Sequence, residues 1–387
     1  MDSKDNDIHT VNPRELVGPW DFKERQYLPA LTWSQKLNFV RVMGSVPFRV
    51  VWWTIKYFMP GGYRPVRYKR RIMNLVMAYT LNALSLPELR LILPVVPLRR
   101  FLESRALRAF AGLPNFNHYF HADDTSARWI TEVNGRRKED PVILYLHGGG
   151  FFLKTMPEQI TWMCKLVEAL PQHRLSVLEL DYTVSPQGQY PVQLNEALSV
   201  YKELTKTCSK IIILGDSAGG NLASSLTAHM VKNNSPLPRP WSVVLVSAWT
   251  EFDRVDGSAI TNKDYDYLNL DNNDTLTMYY AGTRDNLKNP YVNMWVGGSE
   301  FWQGVFPERT IAVWGDKELF RDGCRRFAKM ADIKHTFEEP NGVHDVLMVG
   351  FRAPSSKFIT QTLDKWLSEP DRVAPKATSS SVSSSRL

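Results

Sequence analysis

Ile211-Ile212-Ile213-Leu214-Gly215-Asp216-Ser217-Ala218-Gly219-Gly220 is the stretch whose reading decides the fold. Four apolar residues of strand character run into a glycine-flanked serine, and a helix-forming run follows from Asn221 to Lys232. That order is strand, tight turn, helix. In a Gly-x-Ser-x-Gly elbow the serine is held on a strained turn, and flanking glycines let strand and helix approach closely. Its Oγ then stands above the sheet edge, where the next residue's N–H also faces. Taken alone, the stretch also fits a glycine-rich βα turn with an incidental serine.

Outward from this turn the chain repeats the same rhythm. Strand patterns fall at Ala127 to Val133, Val142 to Leu146, Leu175 to Asp181, Ser242 to Ala248 and Thr310 to Trp314. Helical patterns fall at Pro157 to Leu170, Val192 to Thr207, Cys324 to Ile333 and Ser356 to Leu367. Strands alternating with helices of this length predict a mostly parallel central sheet flanked by helices, joined by right-handed crossovers. Sites in such sheets form at the carboxyl ends of the strands. The segment 250–305 lacks this rhythm and is rich in Asp, Asn and Tyr, including Asp264 to Tyr267 and Asp271 to Asp274. Its spacing matches no EF-hand, so it reads as a solvated loop packing over the site.

The chain has 387 residues, 43% of them hydrophobic and 22% charged, enough for one large α/β domain with additions. A net charge of +7 favours polyanions or anionic membranes. No basic cluster interleaves with aromatics in the manner of a nucleic-acid surface, so nucleic acid is excluded as a partner. Cys164, Cys208 and Cys324 are far apart and match neither a disulfide framework nor a metal site. They read as buried free thiols in a reducing compartment.

Residues 1–29 are polar, with no basic start and apolar core of a signal peptide. Residues 30–116 read as amphipathic helices that cap the site or associate with a membrane surface. The run Ile72 to Leu86 is short for a span. Residues 117–370 form the catalytic unit, and 371–387 a Ser-rich disordered tail. The tail ends Ser385-Arg386-Leu387, which resembles the Ser-Lys-Leu address read by the peroxisomal import receptor.

Acyl transfer needs a nucleophile, a base, an orienting acid and an oxyanion hole. The chain offers each in the order Ser, acid, His. Ser217 is the nucleophile. His147-Gly148-Gly149-Gly150 follows a strand, and the N–H groups of Gly148, Gly149 and Gly150 can join that of Ala218 around an oxyanion. Phe151 and Phe152 follow, as an acyl-pocket wall or as core. The acid lies after the strand Thr310 to Trp314, where Glu318 and Asp316 compete. His344 is the base, because it alone of the eight histidines sits in a loop after the last strand; His147 reads as structural.

These motifs resemble the hormone-sensitive-lipase-like branch of the α/β-hydrolases. His147-Gly148-Gly149-Gly150 and Gly215-Asp216-Ser217-Ala218-Gly219-Gly220-Asn221 stand without substitution, with Asp181-Tyr182 and Tyr190-Pro191 between them. Within the branch the chain is most similar to fungal steryl acetyl hydrolases, over about 120 to 367. The resemblance implies an α/β-hydrolase fold with an N-terminal helical cap. It assigns Ser217, Glu318 and His344 as a triad, and implies no metal or cofactor. Glu318 replaces the commoner Asp, and Phe320 the usual Leu, which keeps Asp316 as an alternative acid.

The expected activity is hydrolysis of acyl or acetyl esters of lipophilic alcohols or small metabolites. The alternatives are an acyltransferase or thioesterase in a peroxisomal, fatty-acid-derived secondary-metabolite pathway, and a non-catalytic binding protein on this scaffold. The tripeptide points to the peroxisome; the resemblance points to an endoplasmic-reticulum membrane, and the cytoplasm is a further alternative.

Overall fold

A computed structural model describes residues 30–60, 68–123, 125–233, 235–252, 257–268, 273–345, 347 and 350–370. The polar segment 1–29, the Ser-rich tail and its Ser385-Arg386-Leu387 lie outside the described residues.

Eight strands form one sheet in the order β1-β2-β4-β3-β5-β6-β7-β8. They are β1 (Tyr119–Phe120), β2 (Ala127–Thr131), β3 (Val142–Leu146), β4 (Ser176–Leu180), β5 (Ile211–Asp216), β6 (Ser242–Val246), β7 (Thr310–Gly315) and β8 (His335–Glu339). β1–β2 and β2–β4 pair antiparallel, and every other pair is parallel. The central strands β3 to β7 are buried at every position and mostly apolar, because both faces are covered. Val142, Leu144 and Leu146 of β3 enter one core with Ile213, Leu194, Leu222 and Phe327. Ile143 and Tyr145 enter the opposite core with Ile212, Leu214, Trp162 and Leu363. Each fully buried aliphatic side chain contributes about 1.5–3 kcal/mol, so the two layers fix the register.

Ahead of the sheet come α1 (Trp33–Phe58), α2 (Tyr68–Ala83), α3 (Leu86–Ile92) and α4 (Leu98–Leu102). The sheet is flanked by α5 (Pro157–Ala169), α6 (Val192–Thr207), α7 (Ala218–Lys232), α9 (Arg321–Met330) and α10 (Pro354–Ser368), and α8 (Asn273–Ala281) lies in the segment before β7. α1 begins at a capping box between Thr32 and Gln35. Val42 of α1, Leu84, Leu86 and Leu89 form a third apolar cluster with Phe152 from the glycine turn.

The solvated-loop expectation for 250–305 is corrected. Phe252, Asp266, Tyr267, Tyr280, Met294 and Trp302 are buried. Tyr280 stacks on Phe151 at 3.6 Å between ring centroids. Burial there comes from contacts distant in sequence, which a local polar composition conceals.

Strand β3 and helix α7 meet so closely that a Cβ on Gly219 would overlap the Leu146 carbonyl oxygen. Helix propensity alone would reward Gly219→Ala by up to ~1 kcal/mol. Sterics reverse that sign: the substitution should destabilise by about 3 kcal/mol or more, read as a fall in the urea midpoint. An unchanged midpoint would show that the approach is looser than described.

Candidate active site

Ser217 sits at φ 50° and ψ −117°, between the end of β5 and the first turn of α7. L-residues avoid this backbone region at a cost of about 1–3 kcal/mol. Hydrogen bonds on both sides hold it there: Ser217 N–H donates to the Val246 carbonyl at 2.8 Å, and Trp249 N–H donates to the Ser217 carbonyl at 2.9 Å. Asn221 secures the same loops, donating to the carbonyls of Trp249 and Val292.

His344 Nε2 lies 2.8 Å from Ser217 Oγ. Both residues are buried, and both line an apolar cavity of about 300 Å³. Burial pushes the His344 imidazole down to about 3, so it is neutral near pH 7 and its Nε2 can accept the serine proton. Its Nδ1 faces Glu318 Oε1 at 4.0 Å. That gap exceeds a hydrogen bond, and among the described residues Nδ1 has no such partner.

Glu318, fully buried, receives the Ser247 hydroxyl at 2.6 Å and the Gly315 N–H at 2.8 Å on Oε2. Burial pushes its carboxyl up to about 8 against these two donors. Asp316 is partly exposed and 3.6 Å from Lys317 Nζ. Of the two competing acids, Glu318 is thus the one facing the imidazole.

The glycines of the turn divide. Gly148 lies hard against the buried Asp216, whose carboxylate oxygen would overlap a Cβ placed there. Among the described residues the N–H groups of Gly149, Gly150 and Ala218 donate to no protein acceptor. Gly149 (φ 117°) and Gly150 (φ 62°) line the cavity beside Ser217. The two phenylalanines also divide: Phe152 lines the cavity, whereas Phe151 is core. His147 stacks on Tyr182 at 4.1 Å, donates from Nδ1 to the Gly148 carbonyl at 2.7 Å, and is pushed down to about 3 by burial. It supports the turn and does not line the cavity.

Six supporting residues escaped the sequence reading. Ser247, itself at φ 46°, donates to Glu318 and accepts the Asp345 N–H at 3.0 Å, linking acid and base segments. Asp266 accepts the N–H groups of Leu319 at 2.7 Å and His344 at 3.2 Å, making a second link. Asp216 and Asp345, next to nucleophile and base, meet carboxyl to carboxyl. Burial and then the Asp216 charge push the Asp345 carboxyl well up. Tyr145 Oη and Gln159 Nε2 complete the Asp216 shell, each at 2.7 Å. The adjacency Asp216-Ser217 and His344-Asp345 was the available signal; that the two acids touch was not.

Among the described residues no group of three or more His, Cys, Asp or Glu could hold a metal ion. The arrangement supplies acyl-transfer parts: a serine, a neutral imidazole, a facing carboxyl and unengaged amides over an apolar chamber.

A mostly parallel eight-stranded sheet with these turns at its carboxyl edge is the α/β-hydrolase fold. It is similar to an esterase of Pseudomonas putida (TM-score 0.63, 16% identity, 79% of this chain and 98% of that one). It is also similar to an esterase of the bacterial hormone-sensitive lipase family (TM-score 0.56, 19% identity, 87% and 98%). At such identities the likeness concerns the fold alone. The chain belongs to the steryl acetyl hydrolase family, whose sequence profile matches residues 114–373. It is 30% identical over 230 residues to the mug81 protein of Schizosaccharomyces pombe, covering 54% of this chain and 60% of that one. Against steryl acetyl hydrolase 1 of Saccharomyces cerevisiae it is 23% identical over 264 residues, covering 60% and 58%. The chain therefore spans about three fifths of the length of these curated relatives.

Near pH 7 burial leaves Glu318 protonated and His344 neutral. A base needs its Nδ1–H facing a carboxylate, so acylation of Ser217 by a phenyl ester should rise as Glu318 ionises. The pH–rate limb should lie nearer 8 than the ~6.5 of free imidazole. Because the folded value is raised from 4.5 to about 8, the stability Glu318 contributes is lost as pH rises between those values and levels off above about 8, and Glu318→Gln should flatten that loss. Glu318→Gln should slow acylation by roughly 10³–10⁴ and Asp316→Asn should leave it unchanged. The reverse pattern would make Asp316 the acid.

Proposed function

We propose that this chain is a serine carboxylic-ester hydrolase acting on acetyl or other short acyl esters of lipophilic alcohols. One observation carries the reading: the 2.8 Å Ser217–His344 contact opens onto an apolar chamber of about 300 Å³. Met77, Leu81, Leu86, Leu89 and Phe152 form apolar wall, which suits a hydrocarbon alcohol rather than a sugar or a charged ester. The family membership supports the same class.

In this reaction Ser217 Oγ attacks the acyl carbon while His344 Nε2 takes its proton. Negative charge on the carbonyl oxygen falls to the amides of Gly149, Gly150 and Ala218. The C–O bond to the alcohol breaks, and His344 returns the proton to the departing oxygen. Water then repeats the sequence on the acyl-enzyme, with His344 as base, releasing the acid and free Ser217.

Ser217→Ala should lower hydrolysis of p-nitrophenyl acetate at least about 10³-fold without lowering the melting temperature. Turnover that survives the substitution would remove the reading. Competing alcohols or coenzyme A esters in the same assay should leave the acid as the dominant product; a dominant transfer product would make the chain an acyltransferase instead.

A further inference from the structure

Helix α1 is apolar on two opposite faces. Its inner face is stitched to α2 and α3. Asn38 Nδ2 donates to the Ala83 carbonyl at 3.0 Å and to Glu88 at 2.9 Å, Ser45 Oγ pairs with Tyr79 Oη at 2.7 Å, and Thr54 Oγ1 pairs with Tyr68 Oη at 2.7 Å. Phe39, Val42 and Met43 pack into the cluster that contains Phe152, a wall residue of the chamber.

The outer face runs Trp33, Leu37, Val40, Gly44, Phe48, Val51, Ile55 and Phe58. Each step is three or four residues, so one unbroken stripe follows the whole helix. It is open: Trp33 and Phe48 are each 78% exposed, Val40 68% and Leu37 67%. A helix of 26 residues is about 39 Å long, and monomers rarely leave so extended an apolar surface without a use.

Charge identifies the occupant. α1 contains Lys36, Arg41, Arg49 and Lys56 and no Asp or Glu. Lys36 Nζ sits 4.8 Å over the Trp33 ring and Lys56 Nζ 5.2 Å over the Trp52 ring, so each end of the helix pairs a tryptophan with a lysine. Indoles and lysines favour the headgroup layer, where an apolar ring and a cation are both accommodated. A second copy of the chain would set these cations against their own equivalents with no carboxylate between them, which disfavours self-pairing. Among the described residues no helix is long and apolar enough to cross a membrane. The geometry therefore points to a helix lying in the surface and not through it.

We propose that the outer face of α1 docks the protein on an anionic lipid bilayer, seating α2 and α3, which wall the chamber, against the membrane. The docking deepens the ester-hydrolase reading of the same site and rests on it for what the membrane supplies: a lipophilic ester dissolved in the bilayer. The binding itself is measured without turnover.

The test is co-sedimentation of the full chain with phosphatidylcholine vesicles, with or without phosphatidylglycerol, across a salt series. Wild-type protein should bind the mixed vesicles, more weakly at high salt. Val40→Glu, Phe48→Glu and Val51→Glu together should reduce binding at least about tenfold. Lys36→Gln and Lys56→Gln should each weaken it by roughly fivefold on the anionic vesicles alone. The substituted residues avoid the chamber wall, so circular dichroism and hydrolysis of water-soluble p-nitrophenyl acetate should match wild type. The proposal fails if wild-type protein ignores anionic vesicles. It also fails if the folded triple variant binds as well as wild type, or if the face proves to hold a dimer that the triple change splits. Vesicle binding by a protein without esterase activity would instead sink the ester-hydrolase reading and leave the docking intact.

Discussion

The close seating of Ser217 between β5 and α7 is the constraint on which the rest depends. A non-glycine residue at φ 50° is unfavourable in isolation and persists only where its surroundings over-determine it. Here they do. The Val246 carbonyl holds its N–H, the Trp249 N–H holds its carbonyl, and Gly219 lets the helix come against Leu146. The result is a hydroxyl whose position is set by the sheet itself. Ser247 and Asp345 also have positive φ, at 46° and 58°. All three strained residues sit where the serine, acid and base segments touch, and each strain is held by a named hydrogen bond.

Electrostatics in this site follow from dryness. Burial drives the imidazole towards neutrality and the carboxyls towards their acids. The same dryness pushes up both carboxyls of Asp216 and Asp345, which meet where the turn bearing Ser217 touches the loop bearing His344. Glu318 remains slightly too far from His344 for a hydrogen bond. Catalytic contacts of this kind are often long before substrate binds and tighten in the reacting complex.

Much of the fold was legible because strands buried on both faces announce themselves. Val142 to Leu146 and Ile211 to Leu214 admit no polar residue, and the helical runs between them have few other readings. The motifs located the serine, the glycine turn and the histidine loop. What could not be read was set by contacts distant in sequence. Asp266 looks like one polar residue of a solvated loop, yet it is buried and accepts amides 53 and 78 residues away. Gly148 resembles its two neighbours in sequence, but it alone of the three packs against Asp216. The outward stripe of α1 had the spacing of a core face; only the packing of the opposite face on α2 and α3 shows that this one is left open.

The most direct measurement is mass-spectrometric mapping after treatment with a fluorophosphonate, which reacts only with a serine whose proton can be taken. The account predicts a single adduct on Ser217, formed in the wild-type protein and lost in His344→Ala. An adduct on another residue, no adduct at all, or labelling of Ser217 that does not need His344 would contradict it.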